Sequence, residues 1–323
     1  MEELDVAIIG LGTAGRYALG PVSEKTENYR IFEGGEEGTT CARVGCMPSK
    51  ALIHIAEAIR CTKGFSAMGI KAEDLRIDRR RAMEYVREKR DVLVRDTIKK
   101  YDHVRDKLVK EETEFVAPMA LKAGGKIYRC RSIIISTGSR PIIPRGWQLV
   151  PDKIITTETL FELESLSNSV LIVGLGPIGI EIGQALARIG SEVTGAEMLE
   201  KVADLRDPEI RRELREQVGK DIEIKMETRA LLDSVGDRVE VTLKNSAGEE
   251  RRRFDLVILA TGREPNLERL KLENSGLELD GRGSPVYDRE TLQCGNQRVF
   301  IAGDANGVKT PPARGGGRGH NRR

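Results

Sequence analysis

No apolar run in the 323 residues reaches the roughly 18 residues of a membrane span, so nothing calls for a bilayer-crossing segment. An excess of one charge is also missing. The 53 basic and 51 acidic residues leave a formal net charge of +2, a balance that excludes nucleic acid or an acidic membrane as the expected partner. Cysteine is scarce and odd in number: Cys41, Cys46, Cys61, Cys130 and Cys294. Five thiols in so long a chain do not make the disulfide framework of a small secreted domain. Cys41 and Cys46 have four residues between them, which is not the spacing of a zinc-finger half, and no second cysteine cluster completes a tetrahedral site, so no metal is expected. Histidine is limited to His54, His103 and His320. The start, Met1-Glu2-Glu3-Leu4-Asp5, lacks the basic segment and longer apolar core of a signal peptide. A soluble cytoplasmic protein is expected, with length for two domains and 39% hydrophobic residues to fill their cores.

What is present is a repeated plan. Asp5–Ile9 reads as a buried strand that runs into Gly10-Leu11-Gly12-Thr13-Ala14-Gly15, and a second strand, Tyr29–Phe32, closes at Glu33. Val170–Val173 likewise enters Gly174-Leu175-Gly176-Pro177-Ile178-Gly179 and a helix through Ala187, and Glu192–Ala196 closes at Glu197. The interval from first glycine to closing glutamate is 23 residues in both copies, 10 to 33 and 174 to 197. The chain is therefore an internal duplication at domain scale. Between the copies, residues 46–62 read as a helix. Residues 79–111 read as one long charged helix with Val94, Ile98, Tyr101 and Leu108 on a face, and 113–135 as short strands leading to Ser136-Thr137-Gly138. The helix after Gly15 is expected to be short and irregular because Gly20-Pro21 lies inside it. A hairpin is expected from Val239–Leu243 to Arg251–Phe254, turning at 245–248. Further strands are expected at Leu256–Leu259, before Ala260-Thr261-Gly262, and at Val299–Ala302, before Gly303-Asp304.

Each glycine segment follows a strand, opens a helix and has an acidic residue at the next strand end, which is the context a dinucleotide fingerprint requires. The glycines let backbone approach a pyrophosphate, the helix N-terminus supplies N–H donors, and the carboxylate accepts from ribose hydroxyls. Glu197 also bears on the second nucleotide. At about 5 Å and an effective dielectric near 20, a carboxylate repels each charge of a 2′-phosphate by roughly 3 kcal/mol. No arginine stands among Met198 to Glu200, so NAD is favoured over NADP.

The segment Gly38-Thr39-Thr40-Cys41-Ala42-Arg43-Val44-Gly45-Cys46-Met47-Pro48-Ser49-Lys50 is the most informative. On residue types alone it admits two unrelated thiols or a reactive pair. Taken with both glycine fingerprints, Ser136-Thr137-Gly138-Ser139-Arg140-Pro141, Ala260-Thr261-Gly262-Arg263 and Ile301-Ala302-Gly303-Asp304, it resembles the class I pyridine nucleotide–disulfide oxidoreductases, most of all the dihydrolipoyl dehydrogenase type. The resemblance extends from residue 1 to about residue 307.

That resemblance implies an α/β architecture of two Rossmann-like domains. An FAD-binding domain would span 1–145, with an NAD-binding domain over 146–265 inserted in it and a return segment over 266–307. Residues 308–323, rich in Gly and Arg, would be a disordered tail. It implies that Gly10, Gly12, Thr13, Ala14, Gly15, Glu33, Gly34, Thr39, Thr40, Thr113, Thr137, Gly138, Ser139 and Asp304 serve FAD. It implies that Gly174, Gly176, Ile178, Gly179, Glu197 and Gly262 serve NAD. Cys41 and Cys46 would form the redox-active disulfide, with Cys46 toward the flavin and Cys41 toward a small dithiol or disulfide such as a lipoyl group. Lys50 and Glu181 would pair beside the flavin and help hold it. The sequence departs from the family in two ways. Glu111-Glu112-Thr113 replaces a small-residue segment before Phe115, which weakens Thr113 as a contact. The family is homodimeric through a further domain carrying a His–Glu pair that deprotonates the substrate thiol; the family pattern is expected to be lost after Gly307, and none of the three histidines is assigned as that base.

Overall fold

The computed structural model describes residues 1–62, 64–71 and 76–307; the expected tail lies outside them. The chain separates into two units. The first takes in Met1–Glu37, Val104–Arg140 and the chain from Glu264; the second takes in Gly38–His103 and Pro141–Arg263.

Elements are numbered along the chain. In the first unit β1 (Glu2–Ile9), β2 (Tyr29–Phe32), β3 (Leu108–Val109), β6 (Lys126–Ile135) and β17 (Val299–Ile301) run parallel in the order β3-β2-β1-β6-β17. The antiparallel strands β4 (Thr113–Ala117) and β5 (Ala120–Ala123) extend the sheet from the first half of β6. Register aligns Ile9 with Phe32 and Ile135, and Ile135 with Ile301. Gly10, Glu33, Ser136 and Ala302 therefore leave the sheet side by side at the carboxyl ends of their strands, where open α/β sheets bind ligands. Leu4, Ile9, Phe115, Leu121, Ile133 and Ile301 build the core below them.

Two expectations about helices are corrected. Helix α1 (Thr13–Lys25) is not cut short: it runs through Gly20 and Pro21. Both residues are exposed, so water can take the place of the missing donor at the freed Tyr17 carbonyl. The segment 79–111 is not one helix. α4 (Arg79–Lys99) is followed by a 3-10 stretch, Asp102–Lys107. Leu108 and Val109 then pair with Ile31 and Phe32. Sheet pairing outweighs the helical spacing there, and the buried face of α4 is Ala82, Met83 and Val86.

In the second unit β8 (Ile154–Thr156), β9 (Ser169–Val173), β10 (Glu192–Ala196), β11 (Glu223–Lys225) and β15 (Leu256–Leu259) form a wholly parallel sheet, ordered β11-β10-β9-β15-β8. Its centre is buried on both faces, which is why these runs are continuously apolar. Val170, Ile172, Leu256 and Ile258 point into one core. Leu171, Val173, Val257 and Leu259 point into another, shared with the antiparallel sheet β12 (Arg229–Val235), β13 (Val239–Asn245) and β14 (Gly248–Phe254). The β13–β14 turn pairs Asn245 with Gly248, as the hairpin pattern implies. The first core is closed by α5 (Pro177–Arg188), α6 (Pro208–Val218), α3 (Cys46–Thr62) and α4, through Ile182, Ala185, Val218, Leu52, Ala56, Met83 and Val86. The packing thus groups 38–103 with the second parallel sheet, whereas the sequence division set it within 1–145; the apolar faces of α3 and α4 are what place it there. The short strands β7 (Ser139–Pro141) and β16 (Arg263–Pro265) carry the chain out of the first unit and back.

Candidate functional site

The two glycine loops have the same construction. Gly10 and Gly174 sit at φ +95° and +99°, and a Cβ at either would lie 2.5 Å from the carbonyl oxygen of Ser136 or Ala260. Gly15 and Gly179 lie against the loop itself, where a Cβ would come within 1.9 and 2.0 Å of the Gly10 and Gly174 oxygens. These four glycines are demanded by the chain. Gly12 and Gly176 are not, since a Cβ at either meets nothing within 4 Å. They face open space in front of the helices they begin. The helices differ there from their neighbours: Thr39, Asp78 and Asp207 accept first-turn N–H groups at the starts of α2 (Thr40–Arg43), α4 and α6, whereas no side chain caps α1 or α5. Uncapped N–H groups at the positive end of a helix, under a glycine that leaves room, fit the pyrophosphate of a dinucleotide.

The closing glutamates complete each loop. Glu33 accepts from the Leu11 N–H at 2.6 Å and the Gly35 N–H at 3.1 Å. Glu197 accepts from the Leu175 N–H at 2.8 Å and the Leu199 N–H at 3.0 Å. Each carboxylate is fixed by backbone and keeps lone pairs for ribose hydroxyls. In the first unit the Ser139 hydroxyl donates to Asp304 at 2.8 Å. Gly303 sits so close to α1 that a Cβ would lie 2.8 Å from Cβ of Ala14. The hydroxyl oxygen of Thr137 is buried without a partner, whereas its counterpart Thr261 donates to the Ile142 carbonyl at 2.8 Å. An orphaned hydroxyl beside the uncapped loop fits a ligand that would bond to it.

The other candidates from the sequence stand in varied surroundings. Thr39 is buried, and its hydroxyl caps α2 by accepting the Ala42 N–H. A Cβ at Gly34 would lie 3.0 Å from Cα of Glu112, a tight fit that this neighbour would have to relieve. Thr113 is buried, its hydroxyl 3.4 Å from the Glu111 carbonyl. Thr13, Thr40 and Ile178 are exposed. Gly138 and Gly262 hold left-handed turns after β6 and β15.

Cys41 and Cys46 both lie in the second unit. Cys41 is on α2 and Cys46 is the first residue of α3. Both are free thiols in the structure, and each acts on the ionisation of the other. Cys46 is held down at about 6. The largest cause is the hydrogen bond from Cys41; burial works against it, the Cys46 N–H and the Lys50 charge add to it, and Glu181 opposes. Cys41 is pushed up because, as a thiol, it donates to the Cys46 sulfur, with burial and the Cys46 charge adding to the effect. The arrangement makes Cys46 the thiolate and Cys41 the thiol. Lys50 meets Glu181 of α5 at 2.5 Å, so the expected ion pair forms. Sequence reasoning passed over Ser49. Its hydroxyl lies 2.9 Å from the same Glu181 oxygen and 3.1 Å from the Cys46 carbonyl. The signal was its place beside Lys50, one helical turn from Cys46.

A family model described as pyridine nucleotide-disulphide oxidoreductase matches residues 4–317. The chain belongs to that family. Among curated relatives, this oxidoreductase is 30% identical to a dihydrolipoyl dehydrogenase of Thermus scotoductus, over 97% of this chain and 68% of the relative. It is 28% identical to a mercuric reductase of Lysinibacillus sphaericus, over 94% of this chain and 56% of the relative. The structure of the HOCl-induced flavoprotein disulfide reductase RclA from Escherichia coli matches it with a TM-score of 0.80 at 22% identity, covering 95% of this chain and 67% of that one. The α/β fold expected from the sequence is thereby confirmed. Across the curated relatives compared, the chain spans from 48% to 68% of the relative's length. No helix among the described residues is long and apolar enough to cross a membrane.

Proposed function

We propose that this chain is the nucleotide-binding part of a flavin-dependent disulfide oxidoreductase of the dihydrolipoyl dehydrogenase type, with FAD at the first glycine loop, NAD at the second and a small dithiol as substrate. The observation that carries the reading is the pairing of the Cys46 thiolate with the Cys41 thiol, beside Lys50 and Glu181, in a chain with two uncapped glycine-loop helices. Gly12, Thr137, Ser139, Glu33 and Asp304 would hold FAD, and Gly176, Glu197 and the start of α5 would hold NAD. Once bound, the two cofactors would supply the two-electron acceptor that reoxidises the thiol pair.

The chain's own residues account for the thiol exchange. With the pair as a disulfide, a substrate thiolate attacks the Cys41 sulfur. The Cys41–Cys46 bond breaks and Cys46 leaves as a thiolate. The substrate's second thiol then attacks the mixed disulfide, closes the substrate disulfide and returns Cys41 as a thiol. Two electrons have entered the pair. The more acidic thiol is the better leaving group, which supports this order of roles. The charge of Glu197 supports NAD over NADP, and the identity to a dihydrolipoyl dehydrogenase supports the substrate class. A cytoplasmic setting, with neither nucleic acid nor membrane as partner, completes the reading.

His54 and His103 are exposed, and neither is assigned as a base for the substrate thiol. With no base assigned to the substrate thiol among the described residues, reduction of artificial acceptors by NADH should outpace turnover of dihydrolipoamide. The test is to load it with FAD and add NADH. A long-wavelength band from thiolate beside flavin should appear and be absent in Cys46→Ser. Assays with lipoamide, oxidised glutathione and Hg(II), each with NADH and NADPH, read the substrate type. Failure to retain flavin, or a band unchanged in Cys46→Ser, would refute the reading, and reduction of Hg(II) but not lipoamide would replace it by a mercuric reductase.

A further inference from the structure

We propose that Ser49 is a positioning residue of the thiol site: its hydroxyl shares the Glu181 carboxylate with Lys50, and so sets how much of the lysine's charge acts on Cys46. The inference rests on the reading of Cys46 as the working thiolate. One carboxylate oxygen takes both contacts, 2.9 Å from the Ser49 hydroxyl and 2.5 Å from the Lys50 ammonium. The same hydroxyl lies 3.1 Å from the Cys46 carbonyl, one turn back on α3. Ser49 therefore joins three things: the first turn of the helix that begins at Cys46, the carboxylate of α5, and through it the ammonium.

The groups that act most strongly on Cys46 are Cys41 from α2, Lys50 from its own helix and Glu181 from α5. α4 also packs on α2 and α3; its charged side chains are not among these leading influences. Lys50 and Glu181 oppose each other at the sulfur, the ammonium favouring the thiolate and the carboxylate disfavouring it. A carboxylate that accepts a hydroxyl proton as well as an ammonium is partly satisfied without the lysine. Removing the hydroxyl leaves Glu181 to the ammonium alone, neutralises Lys50 more fully and weakens its hold on the thiolate. Serine suits the task because it adds a donor without adding a charge of its own.

The experiment uses the full chain, reduced with dithiothreitol and desalted, with alkylation of Cys46 by iodoacetamide followed from pH 4.5 to 9 by peptide mass spectrometry. The wild-type rate should rise with a midpoint near 6. In Ser49→Ala the midpoint should move up by about half a unit to one unit, so that the rate at pH 6 falls about two- to fivefold. Ser49→Thr keeps the hydroxyl and should restore the wild-type profile. Glu181→Gln should move the midpoint down, and Ser49→Ala should have no effect in the Glu181→Gln background, because its action passes through that carboxylate. An unchanged midpoint in Ser49→Ala, an equal shift in Ser49→Thr, or a full shift in the double variant would each overturn the proposal. The measurement needs no flavin and no turnover, so loss of flavin binding or of activity would count against the proposed function and leave this profile readable.

Discussion

Alanine at the middle glycine of each loop should separate folding from binding. A Cβ at Gly15 would lie 1.9 Å from the Gly10 oxygen, more than an ångström inside any tolerated carbon–oxygen contact, and the obstacle is backbone. The loop or the start of α1 must move, at a cost of roughly 3 kcal/mol or more. A Cβ at Gly12 meets nothing within 4 Å, and the residue already has φ −69° and ψ −166°, which alanine adopts freely. Its effect on stability should stay within about 1 kcal/mol. The methyl would nonetheless occupy the space through which the pyrophosphate approaches the first N–H groups of α1, and a loss of affinity of about tenfold or more is expected. Urea denaturation of the flavin-free chain measures the first quantity, and fluorescence titration with FAD the second. Gly176→Ala is the internal control: it should weaken NADH binding, leave FAD affinity unchanged and fold as the wild type. FAD affinity unaltered in Gly12→Ala would refute the assignment of the first loop, and equal destabilisation by Gly12→Ala and Gly15→Ala would refute the reasoning about which glycines the fold demands.

Two further outcomes are expected. Glu197→Gln removes the charge opposing a 2′-phosphate, and because Glu197 is partly exposed the gain for NADPH relative to NADH should reach about tenfold rather than the full 3 kcal/mol; NADPH and NADH titrations of the two proteins would show it, and an unchanged ratio would mean that another group sets the preference. Glu223 ties β11 to β14: burial raises its pKa, but contacts to Arg252, Lys225 and Thr194 outweigh it and hold the carboxyl down at about 2. A carboxylate depressed on folding stabilises above its unfolded pKa and loses that contribution as pH falls toward the folded value. Glu223→Gln should therefore be less stable than the wild type at neutral pH, with the gap closing between about pH 4.5 and pH 2 in acid-denaturation curves; a gap constant across that window would rule out the ion cluster as its cause.

The parts legible in the sequence were those fixed by local chemistry. Strand alternation places Val170 and Ile172 opposite Leu171 and Val173 whatever the rest of the chain does, and only glycine suits positions that need φ near +95° or tolerate no Cβ. The same local signals marked α3 from its first residue to its last. The cysteine segment was legible as a type, through its resemblance to a family. What could not be read there depends on residues far apart. Leu108 abandons a helical pattern because Ile31 offers it a strand partner, Pro21 is tolerated because its stretch of α1 faces water, and residues 38–103 join the second unit because the faces of α3 and α4 find their apolar complement on α5 and β9. The order of the two thiols also belongs to the tertiary structure. Their spacing in sequence is symmetric, whereas the contact from Cys41, a helix start and an ammonium make Cys46 the more acidic, against the opposing carboxylate 131 residues beyond Lys50. Periodicity and steric exclusion act within a few residues and so are written in the sequence. Pairing, burial and electrostatic fields act through space, and only the folded chain decides which groups they join.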